Sequence, residues 1–171
     1  MPTYYNSIAK GYDELHAEEQ LKKLELIGKE ITLTPELQDF IKPNYKLLDV
    51  GCGTGISTGF FKVKDRTGID PSKSLIRIAR VNYPTITFTV GSAEQLLYKD
   101  KQFDIVISLT AIQNFDNLEK GLNEIKRVGK HYILTFLKKS PKHERIKELL
   151  QQKFTIIKTI EEDKDVIYFC R

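Results

Sequence analysis

Three glycines and two aspartates have the types and spacing of a nucleoside-binding loop. Gly51, Gly53 and Gly55 stand at alternate positions after a short apolar run whose penultimate residue is Asp49. Glycine lets the backbone turn sharply and lets a ligand approach main-chain atoms without meeting a Cβ atom. Asp70 follows Gly51 by 19 residues. A carboxylate about 20 residues beyond the first glycine can accept both hydroxyls of a ribose.

The residues around this loop argue against two common nucleotide sites. A dinucleotide fingerprint needs a further glycine where Ile56 stands, and a P-loop needs a Gly-Lys-Ser/Thr sequence that this loop lacks. The carboxylate of Asp49 would repel a pyrophosphate and would attract an ammonium or a sulfonium group. We therefore expect the ligand to be a cationic nucleoside, S-adenosylmethionine, rather than NAD or ATP.

Alternating strand and helix patterns surround the loop and place it on an α/β fold. The spacing of Leu21, Leu24, Ile27 and Ile31 predicts an amphipathic helix near residues 15–31. Strand patterns alternate with helical ones, which predicts a parallel sheet with right-handed crossovers. The last two strands are joined only by "EEDKD", so they must form an antiparallel hairpin. The predicted strands are 46–50, 65–70, 85–90, 103–109, 131–137, 154–160 and 165–170.

Four stretches in order resemble the motifs of class I S-adenosylmethionine-dependent methyltransferases, in the methyltransferase type 11 group. They are "IAKGYDEL" (8–15), "LLDVGCGTG" (47–55), "GIDPSKSLI" (68–76) and "VGSAEQLLYKDKQFDIVISLTAIQNF" (90–115). The resemblance covers nearly the whole chain. It implies a Rossmann-like seven-stranded sheet of order 3-2-1-4-5-7-6, mostly parallel, with the last strand antiparallel and helices on both faces.

The resemblance also implies roles in cofactor binding for the loop residues. Gly51 would approach the methionine portion through its backbone, while Gly53 and Gly55 would set the turn. Asp49 would favour the amino group or the sulfonium through water. Asp70 would hold the ribose hydroxyls.

Further cofactor contacts are implied for the segments after the second and third strands. Pro71 and Ser72 would border the adenine. The family often has Asp where Ser92 stands, to bind the adenine amino group, so Ser92 would give a weaker contact. The backbone of Ala93 could still serve the ring.

The segment after the fourth strand is expected to line the methionine side and to handle the methyl acceptor. Ser108 and Leu109 would line the methionine, and Tyr12 would close over it. Gln113 and Asn114, together with Tyr12, are candidates for orienting the acceptor. Amide side chains form hydrogen bonds but are not bases near neutral pH, so an acceptor that is already nucleophilic or ionised fits best.

The length, net charge and cysteine count of the chain are those of one ordinary globular domain. The chain has 171 residues, a formal net charge of +4 and two cysteines without metal-like spacing, so no metal site is expected. The charge permits a nucleic-acid partner without indicating one. We expect a cytoplasmic protein without membrane contact, in which a helical lid segment (1–44) covers a cofactor-binding core (45–171).

The methyl acceptor and its size class stay open. One reading is a small-molecule methyltransferase; alternatives are a tRNA or protein methyltransferase that needs a partner subunit, and a protein that binds the cofactor without catalysis. The predicted third strand, Thr85 to Val90, should lie at the edge of the sheet and carries no charged residue. It is therefore either short and blunted by Pro84, or a site where a protein partner extends the sheet. The resemblance implies that such a partner would be a small zinc-binding activator.

Overall fold

The computed structural model describes the backbone of residues 2–171 and the side chains of residues 16–171. That part of the chain forms five α-helices and seven strands, with two short 3₁₀ turns at Pro35–Leu37 and Ile112–Asn114. The elements are α1 (Pro2–Leu33), β1 (Lys46–Val50), α2 (Ile56–Phe60), β2 (Asp65–Asp70), α3 (Lys73–Asn82), β3 (Thr87–Val90), β4 (Phe103–Ser108), α4 (Leu118–Val128), β5 (Gly129–Leu137), α5 (His143–Lys153), β6 (Ile156–Glu161) and β7 (Asp165–Cys170). Helices and strands alternate except that β4 directly follows β3 and β7 directly follows β6.

All seven strands form one sheet of order β3-β2-β1-β4-β5-β7-β6. The strands from β1 to β5 pair in parallel, and β7 runs antiparallel between β5 and β6. The predicted fold class and strand order are confirmed. The strands β2 and β4 lie on opposite sides of β1, so the direction in which the chain builds the sheet reverses there. A crevice opens at the ends of these strands, and such sheets bind their ligands in this crevice.

Side chains of the central strands are buried on both faces of the sheet. Leu47 packs with α1, whereas its neighbour Leu48 packs in the cluster that contains α4 and α5. Adjacent residues of a strand point to opposite faces, so a run of apolar residues covers both at once. This explains why the buried strands have continuous apolar sequences.

Helix α1 begins at Pro2, well before the predicted residue 15, and its buried side includes Leu24 and Ile27 as expected. Contacts fix the direction of this helix. Glu30 is paired with Lys158 in β6, while Glu19, nearer the start of α1, is paired with Lys164, directly before β7. Because β7 begins at the edge where the parallel strands end, the N-terminal half of α1 runs towards the crevice.

None of the helices formed by the described residues is long and apolar enough to cross a membrane.

Helix α3 buries a different face from the one that the sequence suggests. In the sequence, Leu75, Ile78 and Val81 recur at helical spacing, which predicts that they form the buried side, but Val81 is 76% exposed. The buried residues are Leu75, Ile76 and Ala79. Three apolar positions at spacing i, i+3 and i+6 drift around a helix, so the sheet below selects the set at i, i+1 and i+4.

Three predicted boundaries are also different. The pair Ser140-Pro141 in the sequence predicts a helix that starts directly after a serine cap, but helix α5 begins at His143. The Ser140 hydroxyl instead accepts a hydrogen bond from Lys142 N and forms a separate turn. The letters of residues 93–98 predict a short helical turn, whereas the structure has irregular turns there. Strand β3 begins at Thr87 instead of residue 85.

Candidate functional site

A cleft opens at the ends of strands β1 to β4. Its walls come from the glycine loop after β1 and from the segments that follow β2, β3 and β4. The cleft brings together eight residues that the sequence predicted for the site: Gly51, Asp70, Pro71, Ser72, Ser92, Ala93, Leu109 and Asn114.

The glycine loop has a backbone that only glycine adopts without strain. The φ angles of Gly51, Gly53 and Gly55 are 78°, 54° and 89°, all in the left-handed region. A Cβ atom at Gly51 would lie 2.4 Å from the Cβ atom of Ala111, which is too close for any side chain. Gly51 therefore gives the cleft a floor of main-chain atoms, whereas Gly53 and Gly55 are buried and do not line it.

Asp70 ends β2 at the rim of this floor and is 8% exposed. Its Oδ2 accepts a hydrogen bond from Gly53 N at 3.0 Å, and its Oδ1 accepts one from Ser72 N at 2.8 Å. Burial raises the pKa of this carboxyl group, and the two backbone hydrogen bonds oppose that shift. Each carboxylate oxygen can accept a further hydrogen bond, so the group is held in place and can still bind two hydroxyls.

Asp49 lies beneath the loop and does not line the cleft. It is fully buried, and its Oδ2 accepts hydrogen bonds from Ser57 Oγ at 2.5 Å and Thr58 Oγ1 at 2.7 Å. Burial, together with the smaller effect of the nearby charge of Asp70, raises the pKa of Asp49 to about 6, against the opposing effect of the two hydroxyls. The other oxygen, Oδ1, has no hydrogen-bond partner within the described part of the chain.

The wall after β3 contains a carboxylate that the sequence reasoning did not single out. Glu94 lines the cleft beside Ser92, whose Oγ donates to Glu94 Oε2 at 2.7 Å. Glu94 Oε1 accepts from Asn117 N at 3.1 Å. Although burial alone would raise the pKa of Glu94, these hydrogen bonds hold it below its usual range. The adjacent letters "SAE" were the only signal for this pair.

Two residues predicted for the segment at the end of β4 and beyond lie outside the lining of the cleft. Ser108 is fully buried, and its Oγ donates to Val50 O at 2.8 Å, which ties β4 to β1. Gln113 is 9% exposed, and its Nε2 donates to Thr110 O at 2.8 Å. Leu109 and Asn114 do line the cleft.

Tyr12 was the remaining prediction for closing the methionine side. Its side chain lies outside the described residues, so its role stays a prediction. Its backbone belongs to α1.

Thr110 is a lining residue that the sequence did not suggest. Its φ angle of 55° is unusual for a β-branched residue, and it marks local backbone strain. The Thr110 hydroxyl donates to Asp165 Oδ2 at 2.5 Å and accepts from Lys23 Nζ, and Lys23 and Asp165 form a buried ion pair. Thr110 N donates to Thr135 Oγ1 at 2.8 Å. These partners come from three distant parts of the sequence, so no local motif indicates them.

The charge of the cleft suits a cation. Three carboxylates, Asp70, Glu94 and Asp116, line it, and the lining formed by the described residues has no lysine, arginine or histidine. Such a surface attracts a sulfonium or ammonium group and repels a pyrophosphate. The glycine floor, the anchored Asp70 and the acidic lining therefore fit S-adenosylmethionine. Within residues 16–171, no group of three or more potential ligand side chains is arranged to hold a metal ion.

Residues 48–132 match the family model of the methyltransferase domain. The chain belongs to the class I S-adenosylmethionine-dependent methyltransferases. The match runs from β1 to β5 and contains the glycine loop, Asp70 and the Ser92–Glu94 pair. The methyl donor of this family is S-adenosylmethionine.

Two curated relatives illustrate how much of the chain is shared. An uncharacterised protein of Methanocaldococcus jannaschii is 35% identical over 129 residues, which are 74% of this chain and 46% of that protein. The demethylmenaquinone methyltransferase of Chlorobaculum tepidum is 38% identical over 88 residues, 50% of this chain and 36% of that enzyme. The chain thus spans less than half the length of these relatives.

A solved structure covers the fold more completely. A chain of the complex between the Haloferax volcanii Trm112 methyltransferase activator and a methyltransferase superposes with a TM-score of 0.76. The match covers 97% of this chain and 96% of that one at 15% identity. At this identity the likeness establishes the fold.

Proposed function

We propose that this protein binds S-adenosylmethionine in the cleft and transfers its methyl group to an acceptor held beside Asn114. The observation that carries the proposal is the environment of Asp70. Its two oxygens are fixed by the N–H groups of Gly53 and Ser72, so the carboxylate is already oriented for two ribose hydroxyls. Family membership supports the activity, and the acceptor is not identified.

The proposal assigns the remaining contacts along the cleft. Gly51 accommodates the methionine portion next to main-chain atoms, and Asp49 compensates the positive charge from beneath the loop. Pro71 and Ser72 border the base. When bound, the sulfonium supplies an electrophilic methyl carbon; the acceptor forms a bond to it, the carbon–sulfur bond breaks, and the electron pair leaves with the neutral thioether.

The acceptor end of the cleft favours a substrate that is already nucleophilic. Its described lining there consists of Leu109, Thr110, Ala111, Asn114, Phe115 and Asp116. Apart from the carboxylate of Asp116, this lining has no side chain that could act as a base. The residues therefore align the acceptor and exclude water, which suits an in-line displacement with a good leaving group.

We also propose that the N-terminal helix is the lid of the site and that residues 45–171 are the core. Lys23 is bonded to Thr110 and Asp165 at the crevice edge of the sheet. Residues 2–22 continue α1 in the direction of that edge. At 1.5 Å per residue they are about 30 Å long, enough to reach across the cleft.

Transfer of radiolabel tests the proposed activity. The protein is incubated with S-adenosyl-L-[methyl-³H]methionine and an extract of the source organism that lacks this gene, which is then separated into small-molecule, RNA and protein fractions. We expect label in one fraction only when the wild-type protein is added, and its loss with Asp70→Asn. Cofactor binding without label in any fraction would favour the alternative of a non-catalytic binding protein.

A protein partner on the β3 edge is the second part of the proposal. Three exposed apolar side chains lie at this edge: Val81, Val90 and Leu97. Val90 is the last residue of β3. Val81 and Leu97 each adjoin a residue that is hydrogen-bonded to β3, Arg80 and Tyr98 respectively. The similar fold in the Trm112 complex supports a partner of that type. One feature limits how it docks: Arg80 Nη2 donates to Phe88 O at 2.8 Å, so this outward carbonyl is already occupied. We therefore expect an apolar contact rather than a fully paired strand.

Co-expression with the Trm112-type protein of the source organism tests this contact. We expect the two proteins to elute together, and we expect the variant Leu97→Lys to elute alone with an unchanged unfolding midpoint. Leu33→Lys changes another exposed leucine, at the end of α1, and is the matched control. A wild-type chain that elutes alone would remove the activator from the proposal.

A further inference from the structure

The hydroxyl of Thr110 lies at the acceptor end of the cleft and is held by two charged side chains. It donates to Asp165 Oδ2 at 2.5 Å and accepts from Lys23 Nζ. Both partners are buried, since Asp165 is 1% exposed and Lys23 is 9% exposed. The backbone is fixed as well, because Thr110 N donates to Thr135 O at 3.2 Å and to Thr135 Oγ1 at 2.8 Å. Neither the side chain nor the main chain of Thr110 can turn without breaking these contacts.

The charged partners decide which way the hydroxyl hydrogen of Thr110 points. A hydroxyl has one hydrogen and two lone pairs. The carboxylate of Asp165 only accepts hydrogen bonds and the ammonium group of Lys23 only donates them, so the hydrogen is directed at the first and one lone pair at the second. The Thr135 hydroxyl lies 3.4 Å away, but its own hydrogen is directed at Asp165 Oδ2. Within the described part of the chain, the second lone pair of Thr110 is therefore left for a ligand.

Thr110 also lies beside the reacting end of the proposed cofactor site. Thr110 and the next residue, Ala111, both line the cleft. Ala111 faces Gly51 so closely that a Cβ atom at Gly51 would lie 2.4 Å from the Cβ atom of Ala111. In the proposed function Gly51 accommodates the methionine portion, so the methyl group on the sulfonium would be next to this segment. The second lone pair of Thr110 is then within reach of a group that approaches that methyl group.

We propose that Thr110 selects an amine as the methyl acceptor by accepting a hydrogen bond from the amine N–H. This inference rests on the proposed function, in which the methyl group of the cofactor points to this end of the cleft. A neutral amine nitrogen has both a lone pair that forms the new bond and a hydrogen that Thr110 can accept. The lone pair binds the methyl carbon, the carbon–sulfur bond breaks with its electron pair on sulfur, and the resulting ammonium group releases one proton to water.

Other nucleophiles fit this end of the cleft less well. A carboxylate, a thiolate or an enolate has no hydrogen to donate, so its lone pairs would face the lone pair of Thr110. A hydroxyl group has a single hydrogen, which would be donated to Thr110. Since Thr110 is not a base, that hydrogen would stay on the oxygen, and a neutral hydroxyl is a weak nucleophile. A primary or secondary amine meets both requirements at once.

Sinefungin is a suitable probe, because it carries an amino group at the position of the transferred methyl group. At pH 7.5 sinefungin and S-adenosylmethionine both have a positive charge there, but only sinefungin has N–H donors. The ratio of their dissociation constants therefore measures the hydrogen bond separately from the charge. We expect wild type to bind sinefungin about tenfold more tightly than S-adenosylmethionine in calorimetric titrations, the scale of one hydrogen bond from a charged donor.

Variants at two threonines of the network separate selection from a structural role. Thr110→Val keeps the shape of the side chain without its hydroxyl and should bring the ratio to within about twofold of one, whereas Thr110→Ser keeps the hydroxyl and should preserve the ratio. Thr110→Ala is the second variant if Thr110→Val does not fold, as judged by its thermal unfolding midpoint. Thr135→Val removes another hydroxyl bonded to Asp165, from a residue outside the lining of the cleft. It should keep the wild-type ratio even where it lowers stability, because a structural loss weakens both ligands alike.

The product of the radiolabel experiment gives a second readout, and we expect mass spectrometry to place the transferred methyl group on nitrogen. A wild-type ratio near one, or a ratio that survives in the folded Thr110 variant without a hydroxyl, would overturn the selection. So would a methyl group on oxygen, sulfur or carbon. Binding of neither ligand to wild type would instead refute the cofactor site, and binding of both without transfer of label would refute the activity on which the selection rests.

Discussion

Asp49 and Asp165 are buried carboxylates in two regions of the same sheet, and their charges are compensated differently. Asp49 lies under the glycine loop and is 0% exposed; Asp165 begins β7 and is 1% exposed. Each accepts hydrogen bonds from two side-chain hydroxyls. Asp165 is also paired with Lys23. Within the described residues, no cation is paired with Asp49.

The comparison shows which end of the cleft is electrostatically incomplete. Near the acceptor end, the charge of Asp165 is balanced by Lys23, so the ion pair joins α1 to the sheet without needing a ligand. Beneath the loop, Asp49 has only hydroxyl partners, and burial raises its pKa to about 6. A cation bound above the loop would favour its ionised form. The region that lacks a cation is therefore the one that the cofactor would complete.

The largest expected effect is the loss of stability when the buried ion pair between Lys23 and Asp165 is broken. Lys23→Met leaves Asp165 charged and unpaired, which should lower the free energy of unfolding by about 3–5 kcal/mol at pH 7. Urea unfolding measures it. Lys22→Met is the matched control, because Lys22 is the next residue of α1 and its ion pair with Glu18 is exposed to solvent. If both variants lose the same stability, Asp165 does not depend on Lys23.

The second effect concerns cofactor affinity. Asp70→Asn replaces a charged acceptor of two ribose hydroxyls, and we expect it to weaken S-adenosylhomocysteine binding by about 2–4 kcal/mol. Asp65→Asn, at the opposite end of β2, changes an exposed carboxylate and should bind as wild type does. Isothermal calorimetry compares the two. Equal affinities would exclude Asp70 from the site.

The third effect is a dependence of stability on pH. The pKa of Asp49 in the folded protein is about 6, above its ordinary value of 3.8. The folded state therefore binds the proton more tightly than the unfolded state, so protonation stabilises the fold below pH 4. This contribution should disappear as the pH rises through 6, a change of about 3 kcal/mol. Asp49→Asn does not titrate, so the difference in unfolding free energy between wild type and variant should vary over this pH interval and be flat above pH 7. A constant difference would contradict the raised pKa.

The same two regions explain what the sequence could predict. Asp49, the glycines and Asp70 lie within 22 consecutive residues, so their spacing alone predicted a loop, a turn and a nucleoside site. The strand order followed from the resemblance and the short final link. Lys23, Thr110 and Asp165 are far apart in the sequence, and only the folded sheet brings them together. Periodicity could not identify such a cluster, because each member looks like an ordinary polar residue in its own segment.

The sequence also could not predict which side chains of a predicted segment would face the cleft. The resemblance implied that Ser108 and Gln113, which lie at or just after the end of β4, would face the cleft. Ser108 instead bonds across to β1, and Gln113 bonds back to Thr110. The left-handed backbone at Thr110 lies between these two residues. A sequence pattern holds no signal for that turn at a threonine.

The central claim is that the acidic, glycine-floored cleft binds a cationic adenine nucleoside, and ligand titration tests it most directly. Wild-type protein is titrated by calorimetry with S-adenosylmethionine, S-adenosylhomocysteine, NAD and ATP at pH 7.5. We expect the first two to bind with dissociation constants in the micromolar range and no measurable heat from NAD or ATP, because the lining carboxylates repel their phosphates. Tight binding of NAD, or no binding of S-adenosylmethionine, would contradict the account.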